Sequence, residues 1–539
     1  MHQSIESQPA VNEKDVKKTT YDYIVVGAGS GGCVVARRLV DNTDAQVLVL
    51  EAGESDEGID MIANPLRWLE NIGSAHDYLY HYQPTPYLNN RTIYVPRGKV
   101  LGGSSSINAM VWARGNQSDY DNWAAAGNTG WDYHSVLPLF KKVEDWQGGE
   151  TDFHGSGGPI HVQSPTHFHW LDVAVIEAAK SYGMPYREDT NGPDPEGVGP
   201  MSMSIKQGKR SSAYQSYLRP VSANKNLTLI TGAKVLKLNL SGTRCVGLSF
   251  LKGDKITTVT ATKEVILCAG AIDTPRILML SGIGEARELS KLGIKTKVDL
   301  PGVGKNLQDH PLISVTYEAK VPLGEFTYNL GGSNLYWKSS PAALKSDLML
   351  VPVQVGIETD ESKRAYPVPP NAFSVFVTLI NVKSRGYLAM KSAAHDGPLE
   401  IQPNLVHEPE DMAALASAIE LCMDLASQPA LSNIIKSWVT PAKRLSRQEI
   451  IAFVKDACST YFHPVGTCAM GVGKEAVVSP ELNIYGVEGL RIADASIMPK
   501  ITTGNTNAPT LMIGEFAAKL ILSHRQKTPA DVKAGMAYE

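Results

Sequence analysis

A glycine-rich turn near the start of the chain has residue types and a spacing that suit dinucleotide binding. Gly27, Gly29 and Gly32 form the pattern G-x-G-x-x-G, and the acidic residue Glu51 lies 19 residues after Gly32. In such a turn the first glycine permits the tight bend, the second lets backbone approach a pyrophosphate, and the third lets a helix pack closely on a strand. A carboxylate at the position of Glu51 accepts hydrogen bonds from ribose hydroxyls. The pattern predicts a dinucleotide site, but it does not distinguish NAD from FAD.

The elements that must position this turn are present on both sides of it. Residues 21–26 (YDYIVV) and 47–50 (VLVL) are short apolar runs typical of buried parallel strands, and residues 33–40 place apolar side chains at helical spacing. They predict a strand–turn–helix–strand unit whose helix N-terminus offers free N–H groups to phosphate. Further strands are predicted at 160–163, 227–235, 265–270, 348–355, 373–379 and 491–495, and further helices at 411–426 and about 509–522.

The composition is that of a folded chain without nucleic-acid or membrane character. Of 539 residues, 43% are hydrophobic and 20% are charged, which excludes wholesale disorder. The net charge is −4, whereas nucleic-acid binding usually requires a basic face, so we expect no nucleic-acid partner. No apolar run approaches the roughly 18 residues of a membrane span, and residues 1–20 are polar and charged, so we expect no signal peptide there. The six cysteines have no CxxC spacing, which predicts no zinc site and favours a cytoplasmic protein.

Two longer motifs add polar groups that could contact a cofactor. Residues 98–110 (GKVLGGSSSINAM) contain a glycine pair followed by three hydroxyls and an amide. They offer backbone N–H groups and short donors to a polar ring or a phosphate, although alone the motif could also be a serine-rich turn. Residues 270–284 (GAIDTPRILMLSGIG) indicate a strand end, a turn, a helix and a glycine stop.

In combination these motifs resemble the two sequence signatures of the glucose–methanol–choline (GMC) oxidoreductase family. The resemblance continues through residues 301–310 (PGVGKNLQDH), 463–467 (HPVGT) and 494–499 (DASIMP), and it covers the chain from about 21 to about 523. Members of this family bind FAD and oxidise alcohols, so the resemblance implies the same cofactor and reaction. It also implies an α/β fold: a Rossmann-like FAD-binding domain assembled from discontinuous segments, with an inserted α+β substrate domain built on an antiparallel sheet.

The domain boundaries are expected to follow this plan. The FAD-binding domain would contain residues 21–157, 208–311 and 463–525, and the substrate-binding domain residues 158–207 and 312–462. Residues 1–20 are expected to be a disordered tail, and residues 526–539 a C-terminal tail.

Carried over position by position, the resemblance implies a set of FAD-binding residues. In some members a histidine linked covalently to the flavin stands at the position of Ile107. Isoleucine has no nucleophile, so we expect non-covalent FAD, and we expect no metal. The implied cofactor-binding residues are Gly27, Gly29, Ser30, Gly31, Gly32, Glu51, Ala52, Gly102, Gly103, Ser104, Asn108, Ala109, Met110, Val111, Val235, Asp494 and Ala495.

The implied reaction needs a base. Hydride transfer from an alcohol to flavin N5 leaves a carbonyl only if the hydroxyl proton also departs, so a base must lie within hydrogen-bond reach of that oxygen. Among 13 histidines, His463 matches the catalytic histidine of the family, and the resemblance makes it the general base. The second family position, histidine or asparagine, falls on Asn507, which we expect to hydrogen-bond the substrate oxygen. A helix N-cap is a further role that Asn507 could fill.

Other histidines are expected to be structural. His167 and His169 resemble a metal pair, but the neighbouring sequence contains no third ligand, which favours a surface loop. His310, at the junction of the two domains, is also expected to be structural.

The substrate is specified less closely by the sequence. In choline-oxidising members a carboxylate follows the Gln-Asp-His segment, whereas here Pro311, Leu312 and Ile313 follow it. We therefore expect an uncharged primary alcohol, oxidised to an aldehyde. The electron acceptor (oxygen or a quinone-type molecule) and the oligomeric state stay open. A choline-type dehydrogenase, and a flavin-dependent non-redox lyase or decarboxylase on the same fold, are the alternatives.

Overall fold

The structure is a computed structural model that describes residues 18–359, 362–363 and 365–526 of the chain. Of the predicted tails, residues 1–17 and 527–539 lie outside the described residues. In the described part, two seven-stranded sheets and eleven α-helices form the fold. The strands of the two sheets are β1 (Thr20–Val26), β2 (Val47–Leu50), β3 (Gly197–Pro200), β4 (Leu227–Ile230), β5 (Ala233–Ser241), β6 (Arg244–Lys252), β7 (Lys255–Leu267), β8 (Pro311–Ala319), β9 (Ser333–Trp337), β10 (Leu348–Val353), β11 (Ala372–Leu379), β12 (Ile435–Thr440), β13 (Ser459–Thr460) and β14 (Leu490–Ile492).

The helices and the remaining short strands connect these sheets. The helices are α1 (Ser30–Asn42), α2 (Asp60–Ala63), α3 (Gln117–Ala125), α4 (Tyr133–Val143), α5 (Trp170–Tyr182), α6 (Gly270–Leu280), α7 (Ala286–Lys291), α8 (Pro409–Ala426), α9 (Pro429–Ser432), α10 (Arg447–Ala457) and α11 (Asn507–Gln526). Short paired strands join Tyr80–Tyr82 with Ile93–Val95, Glu144–Trp146 with Ile160–Val162, Ile205–Lys206 with Lys209–Arg210, Ile283–Gly284 with Val298–Asp299, and Tyr387–Met390 with Leu399–Gln402.

The first sheet carries the glycine-rich turn at the end of its parallel strands. Its order is β4–β2–β1–β7–β6–β5, and β14 pairs with the C-terminal half of β7. The five parallel strands end in one buried row, formed by Ile230, Leu50, Val26, Leu267 and Ile492. In such sheets the ligand binds beyond the carboxyl ends of the strands, so this row marks the edge of the expected site.

Two glycines bring the first and last helices together beside this edge. A Cβ atom at Gly31 would lie 2.0 Å from the backbone oxygen of Ala493, and one at Gly514 would lie 2.8 Å from the Cβ of Val34. Both distances are shorter than van der Waals contact, so only glycine allows α1, α11 and the turn after β14 to approach this closely. The close packing places the N-terminus of α11 beside that of α1.

The second sheet is antiparallel throughout. Its order is β12–β8–β11–β10–β9–β3, and β13 pairs with β8. Every residue of β10 and β11 is buried, and α8 packs on this part of the sheet. The apolar runs at 348–355 and 373–379 therefore form central strands.

The two sheets are formed by different segments of the chain. Apart from Thr20, the strands of the first sheet lie within 21–157, 208–311 and 463–525; apart from Pro311, those of the second lie within 158–207 and 312–462. We keep these boundaries as a proposal for the two domains.

Several predicted elements differ from the structure. The predicted strand 265–270 is the end of β7, which begins at Lys255 and ends at Leu267, and Gly270 is the first residue of α6. The predicted strand 227–235 is two strands, because Gly232, with φ +61°, turns the chain between β4 and β5. The predicted strand at 491–495 ends at Ile492, and the C-terminal helix begins at Asn507 rather than near 509.

Candidate active site

The glycine turn has the geometry that its sequence predicts. Gly27 has φ +95°, and a Cβ atom there would lie 2.5 Å from the Cys268 oxygen. A Cβ atom at Gly32 would lie 1.9 Å from the Gly27 oxygen, so this glycine lets α1 pack against the turn. Gly29 precedes α1 and forms no side-chain cap, which leaves the first N–H groups of the helix free for a ligand.

Glu51 lies at the end of β2 and faces the same turn. Its carboxylate accepts hydrogen bonds from the backbone N–H groups of Ala28 and Gly53, at 2.8 and 2.9 Å. Burial raises the pKa of Glu51 to about 7, although these two donors oppose the shift. The carboxyl group of Glu51 is therefore partly protonated near neutral pH, and further hydrogen-bond donors would favour its ionised form.

A cavity of about 550 Å³ begins at Glu51 and ends at His463. Seventeen of the nineteen predicted site residues line it, and Gly32 and Gly102 do not. Gly32 packs inside the turn, and Gly102, with φ +88°, packs against the Ser106 hydroxyl. The volume lies in the range of small-molecule sites, about 300–1,000 Å³.

The serine-rich segment forms one wall of this cavity. The hydroxyls of Ser105 and Ser106 donate to backbone oxygens within the segment, and among the three serines only Ser104 lines the cavity. The guanidinium of Arg210 donates to the backbone and side-chain oxygens of Asn108, at 2.6 and 2.8 Å. Burial lowers the pKa of Arg210 to about 9. Sequence reasoning missed Arg210, because it lies about a hundred residues away from the segment it holds.

His463 lies at the other end of the cavity and is 8% exposed. It follows Phe462, whose φ of +66° turns the chain, and Arg97 donates to the Phe462 backbone oxygen. The Tyr461 ring lies edge-on to the imidazole, with centroids 4.8 Å apart. Burial lowers the pKa of His463 well below its usual value, and the neighbouring His310 and Arg97 add to the effect.

The amide that contacts this imidazole is that of Asn505, two residues before the predicted Asn507. The Nδ2 atom of Asn505 lies 3.2 Å from the Nε2 atom of His463. Asn507 also lines the cavity, but it is the first residue of α11 and its Oδ1 accepts a 2.7 Å hydrogen bond from the Ser30 hydroxyl. Thr506 precedes the helix, and the N–H of Thr510 donates to its backbone oxygen.

The other histidines take different places. His169 precedes α5, where its Nδ1 accepts the N–H of Leu171 and its Nε2 contacts the Leu323 oxygen at 2.6 Å. In the described part of the chain, no cluster of three or more histidines, cysteines or carboxylates is arranged to hold a metal ion. His310, expected to be structural, is in direct contact with the His463 ring.

The buried carboxylate of Asp309 positions both of these histidines. Its Oδ1 accepts the backbone N–H groups of His310 and His463, each at 2.8 Å, and its Oδ2 accepts the hydroxyls of Tyr82 and Thr460. The sequence indicates Asp309 only as part of a motif, because three of its four donors, Tyr82, Thr460 and His463, come from distant segments.

Apolar side chains surround the end of the cavity at which His463 lies, the proposed catalytic end. They belong to one buried cluster and include Trp68, Val111, Leu312, Phe376 and Tyr461.

Four acidic residues line the cavity: Glu51, Asp273, Asp396 and Asp494. Glu51 and Asp494 accept backbone N–H groups, and Asp273 accepts the Tyr80 hydroxyl. Asp396 lies between two residues whose backbone oxygens bind Arg276.

The fold and this cavity define a dinucleotide-dependent oxidoreductase, and comparison with known proteins identifies the family. Models described as GMC oxidoreductase match residues 21–312 and 382–514. The chain therefore belongs to the GMC oxidoreductase family and is an FAD-dependent oxidoreductase of the alcohol-oxidising type, as the sequence predicts. The predicted fold class is confirmed as well.

Individual relatives extend over nearly the whole chain. Mitochondrial choline dehydrogenase of Mus musculus is 37% identical over 94% of this chain and 90% of its own length. Oxygen-dependent choline dehydrogenase of Sinorhizobium fredii is 37% identical over 93% of this chain and 95% of its own. The crystal structure of pyridoxine 4-oxidase from Mesorbium loti aligns with a TM-score of 0.89 and 31% identity, covering 94% of this chain and 100% of that one.

The residues present fit FAD. Two glycine segments meet backbone to backbone at the cavity wall, where a Cβ atom at Gly103 would lie 2.9 Å from the Cα of Gly29. Thr506 and Asn507 also line the wall, so the N-terminus of α11 opens on the cavity with its partial positive charge. Within the described residues, no helix combines the length and the apolar character that crossing a membrane requires.

Glu51 predicts that the affinity for FAD depends on pH. Ribose hydroxyls that donate to the carboxylate favour its ionised form, so binding should release the proton that burial retains up to about pH 7. FAD affinity should therefore rise with pH by up to about tenfold per unit and level off above about pH 7. Titration of the apoprotein with FAD, followed by flavin fluorescence, measures this slope.

The Glu51→Gln variant should lose this slope, since its amide does not titrate. Glu264→Gln serves as the control, because Glu264 is a carboxylate of the same sheet that binds Arg491 and does not line the cavity. A slope retained in Glu51→Gln would assign the proton to another group.

Proposed function

We propose that the protein oxidises an uncharged primary alcohol to the aldehyde, with His463 as the general base. The observation that carries the proposal is the contact between the His463 imidazole and the Asn505 amide, in the wall of the cavity that the glycine turn also lines. A base and a hydrogen-bond donor 3.2 Å apart can share one hydroxyl oxygen between them.

The chemistry of each side chain follows from its surroundings. FAD, when bound, accepts the two electrons and the hydrogen that leave the alcohol carbon. His463 receives the hydroxyl proton at Nε2, which makes the oxygen a better electron donor. The low pKa that burial gives His463 keeps the imidazole unprotonated at neutral pH, as a base must be.

Asn505 complements the base. Its Nδ2 can donate to the alcohol oxygen and stabilise the negative charge that develops there as the proton leaves. Asn507, which the sequence favours for this role, directs its oxygen to Ser30 instead and joins α11 to α1. We therefore assign the donor role to Asn505 and a cofactor-binding role to Asn507.

Substitutions of these residues should separate the roles. His463→Ala should slow flavin reduction by roughly 10²–10⁴-fold, since the base is lost. Asn505→Ala should slow it by roughly 10²–10³-fold, which is the range for a lost oxyanion donor. Anaerobic stopped-flow measurements of flavin absorbance give both rates.

Asn507→Ala is the comparison for Asn505→Ala, because it removes the same amide two residues away. Its main expected effect is weaker retention of FAD, through the loss of the bond to Ser30. If Asn507→Ala slowed reduction more than Asn505→Ala did, the donor role would return to Asn507.

The substrate class rests on the charges around the catalytic end. The cavity there is lined by apolar and aromatic side chains, and Arg97 is the cation beside it. A quaternary ammonium would be desolvated near a fixed positive charge, which costs more than burying an uncharged group of the same shape. The relatives named choline dehydrogenase favour choline as the second candidate, and Trp68, Phe376 and Tyr461 could supply cation–π contacts for it.

A matched pair of alcohols distinguishes these candidates. Choline and 3,3-dimethylbutan-1-ol have the same shape, but only choline carries a charge. We expect kcat/KM for anaerobic flavin reduction to be at least about tenfold higher for the uncharged alcohol, equivalent to about 1.4 kcal/mol. Preference for choline would support the second candidate, and later addition of oxygen or a quinone identifies the electron acceptor.

We also propose that FAD is bound without a covalent link. Ile107 lines the cavity with a hydrocarbon side chain, which has no atom that could form a bond to the flavin. After acid precipitation, the yellow colour should therefore stay in the supernatant. Colour retained in the pellet would contradict the proposal.

A cytoplasmic location is a further proposal. All six cysteines are buried thiols without disulfide bonds, which agrees with a reducing compartment. Fractionation of the source cells checks it.

A further inference from the structure

Two buried imidazoles are in contact at the catalytic end of the cavity. The Nδ1 atoms of His310 and His463 are 3.0 Å apart, and the rings are nearly perpendicular, at 87°. The backbone N–H groups of both residues donate to one oxygen of Asp309. Because one carboxylate orients both backbones, the fold itself sets the contact between the rings.

A distance of 3.0 Å between two Nδ1 atoms requires one proton between them. Both rings are neutral, because burial lowers the pKa of His310 to about 3 and that of His463 well below its usual value. A neutral imidazole carries its proton on one of its two nitrogens. If His463 donates, its Nε2 is an unprotonated acceptor; if His310 donates, the Nε2 of His463 carries a proton and cannot act as a base.

The surroundings of His310 agree with the first arrangement. Its Nε2 is buried and has no hydrogen-bond partner among the described residues, and the backbone groups of Ile380 and Thr502 raise the pKa of the ring. Carbonyl oxygens only accept hydrogen bonds, so they favour a proton on the Nε2 of His310. Its Nδ1 is then the acceptor, and the proton between the rings belongs to His463.

The other side of His463 favours the same tautomer. The amide Nδ2 of Asn505, 3.2 Å from the Nε2 of His463, is a donor and needs an unprotonated nitrogen opposite it. In these tautomers, each of the two contacts of the His463 ring joins one donor and one acceptor.

We propose that His310 is a positioning residue that holds His463 in the tautomer whose unprotonated Nε2 faces the alcohol. The inference rests on the proposed function, in which His463 is the base. When the O–H bond of the alcohol breaks, an N–H bond forms at the Nε2 of His463. The Nδ1 proton remains in the hydrogen bond to His310, which thereby stabilises the imidazolium.

Three other titratable groups face the pair. Arg97 opposes a positive charge on His463, and Asp309 favours one through its contacts with both residues. Tyr461 is neutral, since burial raises the pKa of its hydroxyl. Asp309 therefore compensates the positive charge of a protonated His463 only in part, and the acceptor at its Nδ1 stabilises that charge further.

Asparagine and leucine provide a matched pair of substitutions at His310. They are similar in size, but only asparagine offers an acceptor near the place of the Nδ1 atom. Flavin reduction at saturating alcohol should be roughly 10²-fold slower in His310→Leu and within about tenfold of the parent enzyme in His310→Asn, with little change in KM. Equal losses in both variants, at equal FAD content and melting temperature, would indicate a packing role and overturn the proposal.

The tautomers can also be observed without catalysis, which keeps the proposal testable if His310→Leu does not fold. In the holoenzyme labelled with ¹⁵N-histidine, long-range ¹H–¹⁵N spectra distinguish protonated from unprotonated ring nitrogens, and His463→Gln assigns the signals. We expect a protonated Nδ1 and an unprotonated Nε2 on His463, and the reverse on His310. The opposite pattern would overturn the positioning role of His310, whichever residue is the base. Fast flavin reduction in His463→Gln would instead rule out His463 as the base, and the measured tautomers would be unaffected.

Discussion

The buried carboxylate of Asp309 is the group on which the catalytic end of the cavity depends. Its two oxygens accept hydrogen bonds from the hydroxyls of Tyr82 and Thr460 and from the backbone of His310 and His463. Burial raises its pKa, whereas the donors favour the ionised form. A buried carboxylate that loses its partners costs several kcal/mol, so the donors must be in place together, and with them the two imidazoles.

One cavity thus joins two different environments. Around Glu51, at the carboxyl edge of the parallel sheet, backbone N–H groups and acidic side chains provide a polar surface, which we propose holds the adenosine and phosphate half of FAD. Around His463, side chains from the second sheet and from connecting segments exclude water. In the dry half a hydrogen bond or a charge acts more strongly than in water, which makes the orientation of a single amide or imidazole decisive there.

The local parts of this arrangement could be predicted from the sequence. The glycine turn, its flanking strands and Glu51 are determined by residues within about thirty positions, and the structure agrees with them. The choice between Asn505 and Asn507 could not be made, because it depends on where α11 begins and on the contact with Ser30. The contact of His310 with His463 joins residues 153 positions apart, and no pattern in either segment indicates it.

The proposed preference for an uncharged substrate rests on these contacts more than on the shape of the cavity. In the proposed reaction His463 gains a positive charge beside that of Arg97, and Asp309 is the carboxylate that both residues face. A quaternary ammonium would add a third positive charge to a volume whose other walls are apolar. An uncharged alcohol adds no charge, so the two cations and the one anion keep the balance that the fold provides. We expect the same preference for uncharged groups in any substrate that the apolar walls can accommodate.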